Sequence, residues 1–137
     1  ERRRGRVTVL TPHEGEFLRV GGDLSQGRTA AAEDFARRSG AVVVLKGPGT
    51  VVAGPDGRCR VNTTGNCGMA KGGSGDVLSG VVLALLGLGM DAFDACCCAV
   101  WLHGRVGDLA AQEKGQWGMT PTDLLERLPQ ALREVTE

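Results

Sequence analysis

Between Asn62 and Gly80 the chain sets six glycines in nineteen residues, Asn62-Thr63-Thr64-Gly65-Asn66-Cys67-Gly68-Met69-Ala70-Lys71-Gly72-Gly73-Ser74-Gly75-Asp76-Val77-Leu78-Ser79-Gly80. In a packed strand or mid-helix each glycine forfeits contacts and costs backbone entropy, so such a run makes sense where backbone must come close to a ligand. Directly after it, Val77, Leu78, Val81, Val82, Leu85 and Leu86 recur at three-to-four-residue spacing. That pattern predicts a helix opening near Ser74 or Gly75 and burying one face. The glycines then stand at a helix N-terminus, whose unpaired N–H groups and positive dipole end attract phosphate or another oxyanion. Asp76 falls in the first turn. Alone, an acid there does no more than favour the dipole, by about 0.3–1 kcal/mol. Beside an anion-binding loop it is repelled by the phosphate, an arrangement useful when the carboxylate accepts a proton from an attacking hydroxyl or handles a metal ion. Asp76 is therefore the candidate general base.

The run is neither of two common nucleotide motifs. No glycine stands six residues before a Lys-Ser or Lys-Thr pair, as a P-loop requires, and Gly73-Ser74-Gly75 is followed three residues later by Leu78, which breaks a dinucleotide fingerprint. What it resembles at every fixed position is N-x-T-G-N-x-x-M-A-x-G-G-[ST]-G-D-V-L-[ST]-G, the signature of the carbohydrate-kinase-like family of NAD(P)H-hydrate dehydratases, within the ribokinase-like superfamily. Two other segments are similar to the same family. Thr11-Pro12-His13-Glu14-Gly15-Glu16 matches T-P-H-x-G-E; a lone histidine is as readily a bystander, but the resemblance implies that His13 touches the hydrated nicotinamide substrate. Lys46-Gly47-Pro48-Gly49-Thr50 reads by itself as a turn into a hairpin. The resemblance makes Lys46, Gly47, Pro48, Gly49 and Thr50, together with Gly75, the adenine-nucleotide site, with Lys46 a suitable charge for phosphates.

The function so implied is repair of the S form of hydrated NADH and NADPH. A phosphoryl group from ADP or ATP turns the ring hydroxyl into a leaving group, which then eliminates. Asp76 takes the hydroxyl proton and contacts the substrate, the N–H groups of Gly73, Ser74 and Gly75 form an anion hole, and Mg²⁺ offsets charge. Two alternatives stay open: a ribokinase-like small-alcohol kinase using the same aspartate and anion hole, and a non-catalytic nucleotide-binding fragment.

The elements that must position these residues can be read in order. Val7-Thr8-Val9-Leu10 suits a buried parallel strand whose C-terminal end opens into the His13 loop, where doubly wound sheets hold ligands. Glu14 and Glu16 suit the first turn of a helix. Arg28 to Ser39 reads as a helix stopped by Gly40, Val42 to Leu45 as a buried strand, and Val51–Ala53 with Arg58–Val61 as a hairpin across Gly54-Pro55-Asp56-Gly57. Past the glycine helix, Asp91 to Gln112 is a long apolar helix with Ala99, Val100, Leu102 and Val106 as core and His103 as a structural residue. Trp117 falls in a loop before the cap Thr120-Pro121-Thr122-Asp123. The final amphipathic helix carries Leu124, Leu125, Leu128 and Leu132, with Pro129 expected to bend or break it. The order suits an α/β layer sandwich. The resemblance implies a three-layer α/β/α ribokinase-like sandwich, of which residues 1–137 are about the C-terminal half of one domain.

Composition bounds the rest. The 137 residues are 42% apolar with formal net charge +0, enough for one globular domain. Neutrality, with arginines clustered only at the opening Glu1-Arg2-Arg3-Arg4 and Arg6, argues against a nucleic-acid partner. The absence of an eighteen-residue apolar run or a signal-peptide pattern argues against a membrane. The five cysteines read as small buried apolar residues of a reducing cytoplasm, since Cys96-Cys97-Cys98 point about 100° apart on a helix and cannot converge on a metal. Half a domain would leave a sheet edge and apolar surface bare. The missing N-terminal half is therefore expected from a second chain or a longer parent, in a homo-oligomer.

Overall fold

The computed structural model describes residues 5–137; the basic opening at residues 1–4 lies outside them. The chain forms two compact units, Glu1–Asn62 with Met90–Cys97, and Thr63–Gly89 with Cys98–Glu137.

The first unit is built on a four-stranded sheet in the order β1 (Val9–Leu10), β2 (Val42–Leu45), β3 (Val51–Ala53) and β4 (Cys59–Val61). β1 runs parallel to β2, with Val9 opposite Val42, and the later pairs are antiparallel, with Val44 opposite Val52 and Val52 opposite Arg60. Every residue of β2 and β3 is buried, as β-branched runs without polar alternation require. On one face, Val43, Leu45, Val51 and Ala53 pack with Ala31, Ala32 and Ala36 of α2 (Arg28–Ser39) and with Phe17 of α1 (Glu14–Arg19). Alanines on that side of α2 let the helix lie close to the sheet, and the fully buried Phe17 contributes about 1.5–3 kcal/mol. Gly40 ends α2 with φ 69°, the left-handed conformation that favours glycine. The hairpin turn is held by Arg58, which pairs with Asp56 (2.7 Å) and with Asp91 (3.0 Å), and lies over the Phe93 ring.

β1 is shorter and less buried than its apolar run predicts. Only Val9 and Leu10 pair, both are half-buried, and Val7 is 65% exposed. The strand order explains this, because β1 is outermost and has no neighbour on its outer side among the described residues.

The second unit contains α3 (Ser74–Gly87), the greater part of α4 (Ala92–Gly118) and α5 (Pro121–Thr136). α3 opens where the spacing predicts and buries Leu78, Val81 and Val82. α4 runs beyond the expected end at Gln112; its regular path is interrupted at Gly115 (φ 71°, ψ 158°), and Trp117 just after it is 97% exposed. α5 starts at its expected cap: Thr120 donates from both N and Oγ1 to the Asp123 carboxylate, and Lys114 Nζ lies 2.5 Å from it. Pro129 neither breaks nor ends α5. The carbonyl it deprives of a donor belongs to Leu125, an exposed residue. The buried face is also rotated from expectation: Leu124 and Ala131 are buried, whereas Leu125 and Leu132 are exposed.

Of the cysteines only Cys96 is fully buried, and burial pushes its thiol up to about 12. Cys67 and Cys98 are exposed. Consecutive helical residues fan around the axis, so three in a row cannot all face a core. Among the described residues no helix is long and apolar enough to cross a membrane.

Candidate functional site

In the first unit the structure brings His13 and Lys46 together. They follow neighbouring strands and form a parallel bridge, with Lys46 N donating to Pro12 O at 2.8 Å. His13 is also the N-cap of α1. Its Nδ1 accepts from Glu16 N at 3.1 Å, while its own N–H donates to Glu16 Oε2 at 2.8 Å, a reciprocal box that satisfies two donors at a helix end. An accepting Nδ1 leaves Nε2 to carry the proton of the neutral ring, and the ring side is 56% exposed. The hydrogen bond from His13 N, with help from Lys46, holds the Glu16 carboxyl below its ordinary range. Glu16 Oε2 is 3.9 Å from Lys46 Nζ.

The loop Lys46–Thr50 is organised by a residue that sequence reasoning assigned only to a scaffold helix. Arg28, the first residue of α2, donates from one terminal nitrogen to Pro48 O and to Gly49 O (3.3 Å), and from the other to Leu45 O (3.0 Å). Thr50 Oγ1 donates to Gly47 O at 3.1 Å. The carbonyls of Leu45, Gly47, Pro48 and Gly49 are thus engaged by protein donors. Among the described residues, no backbone acceptor meets the N–H groups of Gly47, Gly49 or Thr50. A turn with its carbonyls occupied and its N–H groups unspent is suited to an anion.

In the second unit the glycine-rich loop is held against one side of α4. Asp108 accepts from Gly65 N (2.9 Å) with one oxygen and from Asn66 Nδ2 (3.0 Å) with the other. Thr64 Oγ1 donates to Trp101 O at 2.9 Å, and Asn66 Oδ1 caps the single 3₁₀ turn Cys67–Met69 by accepting from Gly68 N. Gly104 and Gly107 make room for this: a Cβ on Gly104 would lie 2.1 Å from Thr64 Oγ1, and one on Gly107 would lie 2.2 Å from Met69 Sδ. Lys71 Nζ donates to Trp117 O (2.9 Å) and Met119 O (2.5 Å), so the loop's one cation is engaged by carbonyls.

Gly73, at φ 96°, caps α3. Of the three proposed anion-hole groups, Ser74 N already donates to Lys71 O at 3.2 Å; no backbone acceptor among the described residues meets Gly73 N or Gly75 N. The Ser74 side chain is buried, and both its Oγ (3.2 Å) and its carbonyl oxygen (2.9 Å) face His103 Nε2. A carbonyl only accepts, so Nε2 carries the proton. Asp76 is exposed in the first turn of α3, and no ion pair among the described residues engages it. Its carboxylate is available to a ligand.

Arg28, His103 and Asp108 are the functional candidates that sequence reasoning missed. Each acts on residues 17 to 43 positions away. The one sequence signal is the cluster His103, Gly104, Gly107 and Asp108, whose spacing puts two glycines and two polar groups on neighbouring turns of one helix.

Among the described residues no three His, Cys, Asp or Glu side chains cluster so as to hold a metal ion. A Mg²⁺ held by these residues would need further donors, such as phosphate oxygens and waters, beside one or two carboxylates.

The family model described as NAD(P)H-hydrate dehydratase matches residues 1–130. The chain is 48% identical over 134 residues to a bifunctional NAD(P)H-hydrate repair enzyme of Thermofilum pendens, covering 95% of the chain and 26% of that protein. It is 41% identical over 125 residues to the ADP-dependent (S)-NAD(P)H-hydrate dehydratase of Bacillus subtilis, covering 88% and 45%. The crystal structure of the Bacillus subtilis ADP/ATP-dependent NAD(P)H-hydrate dehydratase co-crystallised with ATP/Mg²⁺ superposes with a TM-score of 0.89 at 38% identity, over 94% of this chain and 48% of that one. A ribokinase-like superfamily protein of Enterococcus faecalis superposes with a TM-score of 0.81 at 31% identity, over 92% and 44%. The fold is thus ribokinase-like α/β, and the chain spans about a quarter to a half of the length of these relatives.

Proposed function

The chain belongs to the NAD(P)H-hydrate dehydratase family, and from that premise we propose that its parent protein dehydrates the S form of hydrated NADH and NADPH at the expense of ADP or ATP. The observation that carries this reading is the exposed Asp76 carboxylate in the first turn of α3, beside the uncommitted N–H groups of Gly73 and Gly75. In the proposed reaction the ring hydroxyl oxygen attacks the terminal phosphorus of the nucleotide and Asp76 accepts the hydroxyl proton. The bond from phosphorus to the departing nucleotide breaks; the ring C–O bond then breaks to release phosphate, and the adjacent ring carbon loses a proton to solvent as the ring double bond forms. Hydroxide is a poor leaving group and phosphate a good one, so the nucleotide is spent on the elimination.

The N–H groups of Gly73 and Gly75 receive the transferring phosphoryl oxygens, while that of Ser74 serves by holding the turn. Lys46, Gly47, Pro48, Gly49 and Thr50 take the adenine nucleotide, and His13 takes the hydrated nicotinamide. Mg²⁺, where bound, would supply charge neutralisation, with Asp76 the exposed carboxylate available to it. Residues 1–137 form the C-terminal portion of one such domain, in a homo-oligomer of a reducing cytoplasm with no nucleic-acid partner. The free thiols of Cys59, Cys67, Cys96 and Cys98 support the compartment.

The test is a balance sheet on the full-length protein supplied with hydrated NADH and either nucleotide. Inorganic phosphate and recovered nicotinamide absorbance should rise in equal amounts. Accumulation of a stable phosphorylated alcohol, with no gain in absorbance, would instead identify a small-alcohol kinase.

A further inference from the structure

We infer that Arg28 is the positioning residue of the nucleotide loop, and that it acts by turning the loop's carbonyls inward so that its N–H groups are left for phosphate. The inference rests on the assignment of Lys46–Thr50 to the nucleotide. Its physical basis is the odd placement of this arginine. A cation in the first turn of a helix is opposed by the positive end of the dipole. α2 begins with Arg28, no acid in its first turn and no side-chain cap. The guanidinium is not there for the helix.

Its contacts show what it is there for. The two terminal nitrogens donate to the carbonyls of Leu45, Pro48 and Gly49. Nε, the remaining donor, is buried and makes no aligned hydrogen bond, although Glu14 Oε1 lies 3.1 Å away in an ion pair. The fork is thus oriented by the three carbonyls at the expense of its carboxylate neighbour. A planar guanidinium can span three carbonyls at fixed angles, which a lysine ammonium cannot. Gly47 fits the same arrangement: at φ 147° it lies so close that a Cβ would be 2.7 Å from the Arg28 terminal nitrogen. With Arg28 removed, the carbonyls of Pro48 and Gly49 lose their donors and are free to rotate outward, presenting negative oxygen to the phosphates.

The experiment measures binding of ADP or ATP and of hydrated NADH to the full-length protein by calorimetric titration, for Arg28→Lys, Arg28→Ala, Lys46→Ala and Glu14→Gln. Arg28→Lys is expected to weaken nucleotide binding about tenfold or more, the scale of losing aligned charged hydrogen bonds. Affinity for hydrated NADH should stay within about twofold. Glu14→Gln, which removes a half-exposed carboxylate that makes no aligned hydrogen bond to Arg28, is expected to leave both affinities nearly unchanged. In Arg28→Ala, added ethylguanidinium should restore part of the nucleotide affinity, which a general loss of packing would not allow. If Arg28→Ala does not fold, the lysine variant carries the test alone. Native-like nucleotide binding in Arg28→Lys, with a loss in Lys46→Ala, would overturn the role of Arg28 and leave the loop assignment standing. No loss in either would overturn the loop assignment as well. An equal loss of both ligands in Arg28→Lys would reduce Arg28 to a support of the fold.

Discussion

Asp76 is legible in the sequence because two local signals coincide on it: a glycine run that only a close backbone approach explains, and a 3.6-residue apolar period that starts beside it. Replacing it with asparagine keeps the size and removes the proposed base. In the full-length protein Asp76→Asn should therefore cut turnover by about 10²-fold or more while nucleotide affinity stays near its native value. Native turnover in that variant would remove Asp76 from the reaction. Asp108 carries no comparable local signal, since its partners Gly65 and Asn66 lie 43 and 42 positions earlier. It has a comparable consequence. Asp108→Ala strands an N–H and an amide, so thermal unfolding should register a loss of about 1–3 kcal/mol. Turnover should fall further than that loss of folded protein explains, because the loop leading to Asp76 is released. His103 belongs with it, as sequence shows only an isolated histidine in an apolar helix, and the Ser74 carbonyl that gives it a role is supplied by folding.

Elements are more legible than their exposure. The period that places α5 cannot decide which of Leu124, Leu125, Leu128 and Leu132 faces inward, because all lie within one broad stripe and only packing chooses Leu124 with Ala131. β1 shows the same limit, since an apolar run does not reveal that its strand is an edge. The cap of α5, by contrast, is written locally in Thr120, Pro121 and Asp123, and it brings a pH dependence. The hydrogen bond from Lys114, then those from Thr120, depress the Asp123 carboxyl from 3.8 to about 2. The folded form thus holds its proton less tightly than the unfolded form, so stability rises with pH across this interval. The contribution is complete above about pH 4 and is lost as pH falls toward 2. Asp123→Asn should lower the melting temperature at pH 7, and the gap between variant and native protein should close as the pH is taken down to 2. A gap of constant size would mean that the charge of Asp123 is not what holds the cap.

For the whole chain, 16 basic against 16 acidic residues leave no net charge to draw in the two anionic ligands proposed above, so selectivity between them has to come from short-range groups. His13 and Lys46 are such groups. They are adjacent through the bridge between their loops, yet their chemistry differs: Lys46 offers a point charge suited to phosphate, and His13 an exposed ring whose Nδ1 is committed to the α1 cap and whose Nε2 bears the neutral ring's proton. His13→Ala should therefore weaken binding of hydrated NADH and leave the nucleotide nearly untouched, while Lys46→Ala should do the reverse. Glu16 adjusts the expectation. It caps His13 and pairs with Lys46, so Glu16→Gln should disturb both affinities modestly, where each neighbouring variant disturbs one. Titration of the four proteins with each ligand separates these outcomes. Equal losses of both ligands in His13→Ala would make its place in the cap, and not contact with the nicotinamide, the reason for a histidine at that position.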